Sequence, residues 1–344
     1  MPSVFKYITD DKISTIQNKL YESVPITGTY VSGTYNDANV KNYTHDRFQS
    51  VFDYPYLSSS ANPIFDISVG YSNQSSMSSS ANTLNKEKIL NYTQFAQIFN
   101  GFDATGTILR FDEDGDFSGG TKLNECIFVM FSRLLVKDGI KKGSFSATFL
   151  TGNTWAAPHG REEINDLHVT SSYFVNSPVG EWSYLSGSTK GKVGAIFYGP
   201  GLIVLTASIF TSTADSTQQP IFFSNSLAQA QTVNDCLTGS AISSSANGLR
   251  RRWVNCNFVN TTELNSQMIF VDIGSNEFNY SSNPTYLSGS KIVVKTDPTD
   301  IPITYITEVG LYSGDGELLA VAKLSEPIKN QAGSALSLRI RQDF

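Results

Sequence analysis

The order of apolar and polar residues along the chain predicts two clear helices in its first hundred residues. Residues Asp10 to Val24 carry an apolar residue every three or four positions, the spacing of an amphipathic helix, and Pro25 ends the pattern. A second helix is predicted from about Lys86 to Phe99, with an apolar stripe along one face. The stripe consists of Ile89, Leu90, Phe95, Ile98 and Phe99. A weaker helical pattern runs from Ser224 to Leu237.

Runs typical of β-strands fill much of the remaining chain up to residue 250. Pro63 to Gly70 is largely apolar, and Ser144 to Leu150 alternates apolar with polar residues. Lys192–Tyr198 and Gly201–Phe210 flank a Gly-Pro pair, which predicts a tight hairpin whose second strand is buried. Further strands are predicted at Thr27–Tyr35, Thr107–Phe111 and Cys126–Leu135, the last two joined by an acidic, glycine-rich turn from Asp112 to Gly120.

From Trp253 onward the pattern is strand, turn and strand to the end, which predicts a β-sandwich-like module. The strands are expected at residues 268–273, 291–295, 305–312, 318–324 and 336–340. The last of them is expected at a sheet edge or a subunit contact. The module is expected to pack through Val309, Leu311, Leu319, Val321, Leu338 and Ile340.

These patterns together predict a mainly β protein with a few helices, of the α+β class. Three segments are expected: an N-terminal helical docking region (residues 1–100), a central strand-rich domain (101–250) and the C-terminal β-sandwich-like module (251–344). A chain of 344 residues is long enough for more than one such domain.

Composition narrows the classes of function. Charged residues make up 16% of the chain, against about 25% in an average soluble protein, and serine, threonine, asparagine and glycine fill the difference. The net charge of −6 gives no general attraction to nucleic acid or to anionic membranes. Three distant cysteines form neither a disulfide framework nor a zinc pattern. We expect no secretory leader, because the first residues lack a charged start and a long apolar core.

Three segments carry side chains that are common in active or binding sites. His159 to His168 contains two of the three histidines, but their spacing fits no zinc signature, so a surface or interface loop is expected. Asp112 to Asp116 resembles the start of a calcium loop without its closing glutamate, and an acidic turn is the preferred interpretation. Arg250 to Trp253 is the one basic run, for which an inter-subunit salt bridge or a solvated edge is preferred over a nucleic-acid contact.

A resemblance rests on four C-terminal stretches. Asn276–Tyr286 leads to Thr304–Tyr312, then to Glu317–Pro327 and finally to Leu338–Phe344. This series resembles the end of a family of virion structural proteins from T4-like myophages, especially those of marine cyanophages. Residues 127–145 and 193–202 are similar to the same family. The resemblance implies a component of the phage particle, assembled in the host cytoplasm, in the tail, baseplate or neck.

The function expected from sequence is therefore structural assembly rather than catalysis. Homo-oligomers and other virion proteins are the expected partners, and no cofactor, metal, nucleic acid or membrane is expected. A receptor-binding or fibre-attachment module is the alternative, and a tail-associated glycosidase with two carboxylates is a further one. The residues expected at subunit interfaces are Arg250, Arg251, Arg252, Trp253, Tyr312, Arg339, Arg341 and Phe344.

Overall fold

The protein is mainly β, as its sequence predicts. The computed structural model describes residues 5–8, 13–27, 39–53, 62–79, 83–150, 161–170, 173–210, 241–279, 287–288, 291–292, 297, 299, 301 and 303–344. The strands are β1 (Ile13–Thr27), β2 (Val40–Asn42), β3 (Gln49–Phe52), β4 (Pro63–Tyr71), β5 (Glu125–Phe131), β6 (Gly139–Ile140), β7 (Ser146–Leu150), β8 (Arg161–Asn165), β9 (Phe174–Ser177), β10 (Gly180–Gly187), β11 (Gly191–Phe197), β12 (Leu202–Thr206), β13 (Trp253–Ile273), β14 (Leu287–Ser288), β15 (Lys291–Ile292), β16 (Ile303–Tyr312), β17 (Leu318–Gln331) and β18 (Leu336–Asp343). The α-helices are α1 (Thr83–Phe99), α2 (Arg133–Val136) and α3 (Ile242–Arg252), and 3-10 turns occupy Ser76–Ser79, Leu167–Thr170 and Ala207–Phe210.

The chain forms two compact units rather than the three segments expected from sequence. The larger unit comprises Leu20–Thr262, and the smaller one combines Met1–Lys19 with Glu263–Phe344. The expected boundary at residue 100 is absent because β4, from the first predicted segment, pairs along its length with β5, from the second. The C-terminal unit begins near Glu263 and not at residue 251, since the first half of β13 belongs to the larger unit.

An antiparallel sheet organises the larger unit. Its strand order is β1-β13-β7-β8-β10-β11-β12-β5-β4-β3-β2, with β6 paired to β13 and β9 paired to β10. The hairpin expected around Gly199-Pro200 is confirmed, because Phe197 pairs with Leu202 in the register of β11 with β12. The 3-10 turn Ala207–Phe210 replaces the last part of the predicted second strand.

Both faces of this sheet are buried, which explains its long apolar runs. Ile127 and Val129 of β5 join one core cluster, whereas Cys126 and Phe128 join the other, as strand alternation requires. Helix α1 covers the Cys126 side with Tyr92, Ala96 and Phe99. Helix α3 covers the opposite side with Ile242, Ala246 and Leu249. Cys126 and Cys256 are fully buried free thiols, one in each cluster.

Helix α1 confirms the second predicted helix but not the whole predicted stripe. Leu90 and Ile98 are exposed, whereas the helix buries Tyr92 and Ala96 in the core. Because Lys88 and Asn91 are buried as well, the face that packs on the sheet is partly polar, and the apolar pattern alone placed it incorrectly.

The N-terminal helix predicted from Asp10 to Val24 is wrong. From Ile13 onward this segment is strand β1, whose Ser23 hydroxyl donates to Asn257 Oδ1 of β13 at 3.2 Å. Ile16 and Leu20, which the helix would have placed on its apolar face, are exposed. Pairing with a strand far along the chain has overridden a weak local preference.

Several other predicted elements have mixed outcomes. Residues 107–111 form no named strand, and Ile108 makes only an isolated bridge with Phe102. The apolar run from Cys126 ends as a strand at Phe131, because Ser132 caps the short helix α2 by accepting from the backbone N–H of Leu134. The helix predicted at Ser224–Leu237 lies outside the described residues, as does most of Thr27–Tyr35. Within the described residues, no helix is long and apolar enough to cross a membrane.

The described residues of the smaller unit contain three strand pairs, one of which is the short pair of β14 with β15. In the first, β18 runs antiparallel to the second half of β13, from Ser266 with Asp343 to Ile273 with Leu336. Among the described residues of this unit, β18 hydrogen-bonds to β13 alone, which places it at an edge as predicted. In the second, β16 and β17 form a two-stranded ribbon. Of the six predicted packing residues, Leu338 and Ile340 are buried.

Candidate functional site

The basic run predicted as an interface lies in the core of the larger unit. Arg250 and Arg252 are 0% and 2% exposed, and Trp253 is 1% exposed. Arg252 Nη1 donates to the backbone carbonyl of Leu150 at 2.9 Å, and Arg250 Nη2 donates to Asn247 Oδ1 at 3.3 Å. The prediction of a solvated edge or an inter-subunit salt bridge is therefore wrong for these three residues. The side chain of Arg251 lies outside the described part of the structure.

The segment predicted as a polar loop around the two histidines is largely strand β8. Residues 159–160 lie outside the described residues, and the Glu162 side chain is buried, accepting from the backbone N–H groups of Thr189 and Lys190. His168 Nε2 lies 3.0 Å from Ser183 Oγ, and its ring stacks on Tyr184 at 3.7 Å. Burial, together with Lys192, lowers the pKa of His168. The described part of this segment is a packing element and not an open loop.

A buried acid near that segment also has a structural explanation. Asp166 accepts from the backbone N–H groups of Gly143 and Phe145 and from the Tyr198 hydroxyl, at 2.8–2.9 Å. Burial raises the pKa of its carboxyl. Because three donors occupy this carboxylate, its hydrogen bonds join the segments next to β8, β7 and β11.

The predicted C-terminal interface residues are exposed in the smaller unit. Tyr312 and Phe344 are 47% and 69% exposed, and Arg339 projects from β18 into solvent. Arg341 Nε donates to Asp343 Oδ1 at 2.7 Å, and its Nη2 donates to Ser266 Oγ at 3.1 Å. Their role in subunit contact stays a prediction, for which the required exposure is present.

The β16–β17 ribbon exposes apolar side chains that the sequence placed in a core. Leu319 is 68% exposed and Val321 is 49% exposed, so the expected β-sandwich packing through these two residues is wrong. Val309 and Leu311 of β16 are only half-buried. Tyr305 of β16 is exposed as well, and we call the other four exposed side chains, Tyr312, Leu318, Leu319 and Val321, the ribbon patch.

The geometry of the ribbon groups part of this patch on one face. Gly310 pairs with Val321, and residues directly opposite each other in an antiparallel pair point to the same side. A side chain at Gly310 would meet Tyr312 at 2.9 Å and Leu318 at 3.3 Å, so both lie over this glycine. The sequence analysis named Tyr312 as an interface residue but not Leu318. The one feature of the sequence that could have indicated Leu318 is its position in a strand with apolar residues on both faces.

The acidic turn brings its carboxylates together. Asp112, Asp114 and Asp116 have carboxylate oxygens within 4.8 Å of one another, and they are the one such group of three among the described residues. Lys122 Nζ lies 2.9 Å from Asp112 Oδ2. The sequence predicted this turn and its composition, but not the convergence of all three side chains.

Comparison of the chain with protein-family models, with curated proteins and with solved structures finds no match.

Proposed function

We propose that this protein is a structural assembly subunit of a tailed bacteriophage particle, in its tail, baseplate or neck, and that it associates through the ribbon patch. The observation that carries the proposal is the exposure of four large apolar side chains on one two-stranded ribbon. The C-terminal resemblance, which covers both strands of the ribbon, supports the assignment to a virion. The proposal includes no catalytic step.

Physical chemistry favours a covered ribbon over a free one. An isolated two-stranded ribbon is at best marginally stable in water, and it gains stability when a face packs against another element. Fully burying a leucine or valine side chain contributes about 1.5–3 kcal/mol relative to leaving it exposed. Burying Leu318, Leu319 and Val321 in a contact would therefore make the free energy of association more favourable by several such contributions.

The occupant that we propose is the ribbon patch of a second copy of the chain. A two-fold contact uses the same surface on both partners, so an apolar patch with few charges is self-complementary. The low charged fraction of the whole chain, 16%, agrees with a protein that buries much of its surface in subunit contacts.

We expect the purified chain to be oligomeric and the double variant Leu319→Asp with Val321→Asp to be monomeric, because two carboxylates would be buried without partners in the contact. Sedimentation velocity measures the oligomeric state, and far-UV circular dichroism checks the fold. The matched control is Ser325→Asp, which adds a charge at another exposed position of β17. A monomeric wild-type chain, or an oligomer unaffected by the double change, would contradict the proposal.

The place in the particle is tested on virions separated into heads and tails. Mass spectrometry is expected to find the chain in the tail fraction, in a fixed ratio to other tail proteins. Its absence from purified particles would refute the virion role even if the chain oligomerises in solution.

A further inference from the structure

The acidic turn holds more negative charge than its surroundings balance. Asp112, Asp114 and Asp116 contribute three carboxylates whose oxygens lie within 4.8 Å of one another. Lys122, at 2.9 Å from Asp112 Oδ2, contributes one positive charge. The turn also contains Glu113, and Lys192 is a second positive charge that acts on Asp114, so the lysines balance only part of the negative charge. Like charges at this separation repel each other strongly unless a cation or a proton lies between them.

A second observation points to a ligand inside the turn. Asp112 is 1% exposed, and its Oδ2 accepts from the backbone N–H of Phe117 at 2.8 Å. Its Oδ1 is buried and has no hydrogen-bond donor among the described residues, and the same holds for Oδ1 of Asp114. A buried carboxylate oxygen without a partner destabilises the folded protein, so two of them in one cluster require an explanation.

The backbone of the turn follows the order of a calcium-binding loop. Such loops take side-chain oxygens from positions 1, 3 and 5, turn sharply at position 6 and use the carbonyl of position 7. The three aspartates hold positions 1, 3 and 5, which makes Phe117 position 6 and Ser118 position 7. Phe117 has a φ of +59°, a conformation rare for residues other than glycine. The sharp turn is thus present although the usual glycine is not.

The surrounding core holds this strained turn in place. The Phe117 ring stacks on Trp182 with centroids 5.4 Å apart, and the carbonyl of Gly115 accepts from Asn176 Nδ2 at 2.9 Å. A side chain at Gly120 would lie 2.9 Å from Asp114 Oδ2, so the glycine lets that carboxylate approach the backbone. The aspartates are therefore organised before any ion binds, which lowers the entropic cost of binding.

We propose that Asp112, Asp114 and Asp116 form a binding site for a hard divalent cation, Ca²⁺ in particular. All side-chain ligands are oxygens, which suits Ca²⁺ better than zinc or other soft ions. Position 12 of the loop is Leu123 and not the usual bidentate glutamate, so we expect weak binding, with a dissociation constant of about 0.1–1 mM. This proposal departs from the sequence-based expectation of no metal, and it is independent of the proposed assembly role.

The test is isothermal titration calorimetry of the full-length chain with CaCl₂, after a chelator has removed any bound metal. We expect one Ca²⁺ per chain and a rise in the thermal midpoint, because a ligand that binds only the folded state stabilises it. The variant Asp114→Asn should weaken binding by at least about tenfold, the loss already typical of changes outside the direct ligands. Circular dichroism shows whether the variant is folded.

The matched control is Glu113→Gln, which removes the same charge from the same turn without removing one of the three grouped carboxylates. It should retain one Ca²⁺ per chain at nearly unchanged affinity. Equal weakening in both variants would show diffuse charge attraction and overturn the site. The absence of binding at millimolar Ca²⁺, with an unchanged thermal midpoint, would also overturn it.

Discussion

Replacing Trp253 by alanine is expected to lower the free energy of unfolding of the larger unit by about 3–5 kcal/mol, the usual loss for a large buried aromatic residue. Trp253 is 1% exposed, and its ring lies 5.0 Å from Phe65 and 5.2 Å from Phe149, centroid to centroid. Its indole N–H also donates to the carbonyl of Asn255 at 2.8 Å. The truncation therefore leaves a cavity between β4 and β7 and removes a hydrogen bond.

Urea unfolding followed by far-UV circular dichroism measures this loss, since fluorescence would change with the tryptophan itself. Phe102→Ala is the control, because Phe102 is an aromatic residue of the same unit that is 54% exposed. It should cost less than about 1 kcal/mol. If Trp253→Ala instead left stability unchanged and reduced association, the interface role expected from sequence would be correct and the core role wrong.

Replacing Gly70 by alanine is expected to destabilise the larger unit by about 3 kcal/mol, at the upper end of the cost of overpacking. The added methyl carbon would lie 2.6 Å from the carbonyl oxygen of Lys88 and 2.8 Å from the amide nitrogen of Tyr92. Both atoms belong to the backbone of α1, so no side chain can rotate to make room. Helix α1 must move away from β4, which weakens the packing of Tyr92 on the sheet.

Hydrogen exchange of the α1 amides, together with urea unfolding, would detect this displacement. Gly199→Ala is the matched control, because its added carbon would lie 3.7 Å from the nearest heavy atom, the Val179 carbonyl oxygen. A stability change within about 0.5 kcal/mol is expected there. Equal effects of the two substitutions would show that the close approach of α1 to β4 does not limit stability.

Local sequence patterns predicted the central strands correctly because contacts within the same chain bury those strands. The run Pro63–Gly70 and the hairpin around Gly199-Pro200 carry mostly apolar residues at their buried positions, and both elements are present. The segment Ile13–Val24 has no such constraint, since Ile16 and Leu20 are exposed. Its apolar spacing then reflects no packed face, and long-range pairing with β13 decides its conformation.

The two proposed sites differ in how far sequence could lead to them. The aspartates at positions 112, 114 and 116 were visible from spacing alone, but only the folded turn shows that Asp112 is buried and that Oδ1 has no donor among the described residues. Leu319 and Val321 look like core residues in the sequence. A strand that is apolar on both faces does not reveal whether the same chain or another copy covers it.

The two buried cysteines allow the opening of each face of the large sheet to be measured separately. Only the thiolate reacts with alkylating reagents, and burial raises the pKa of both Cys126 and Cys256 well above its usual value. Each thiol should therefore react only when the core cluster that contains it opens, on the α1 side of the sheet for Cys126 and on the opposite side for Cys256.

The variant Cys236→Ser removes the thiol that lies outside the described residues. In this background, the alkylation rates of Cys126 and Cys256 report the opening of the two sides of the sheet separately. Gly70→Ala should increase the alkylation rate of Cys126 more than that of Cys256. Trp253→Ala should increase the alkylation rate of Cys256 more than that of Cys126. Equal rates under all conditions would mean that both layers open in one cooperative step.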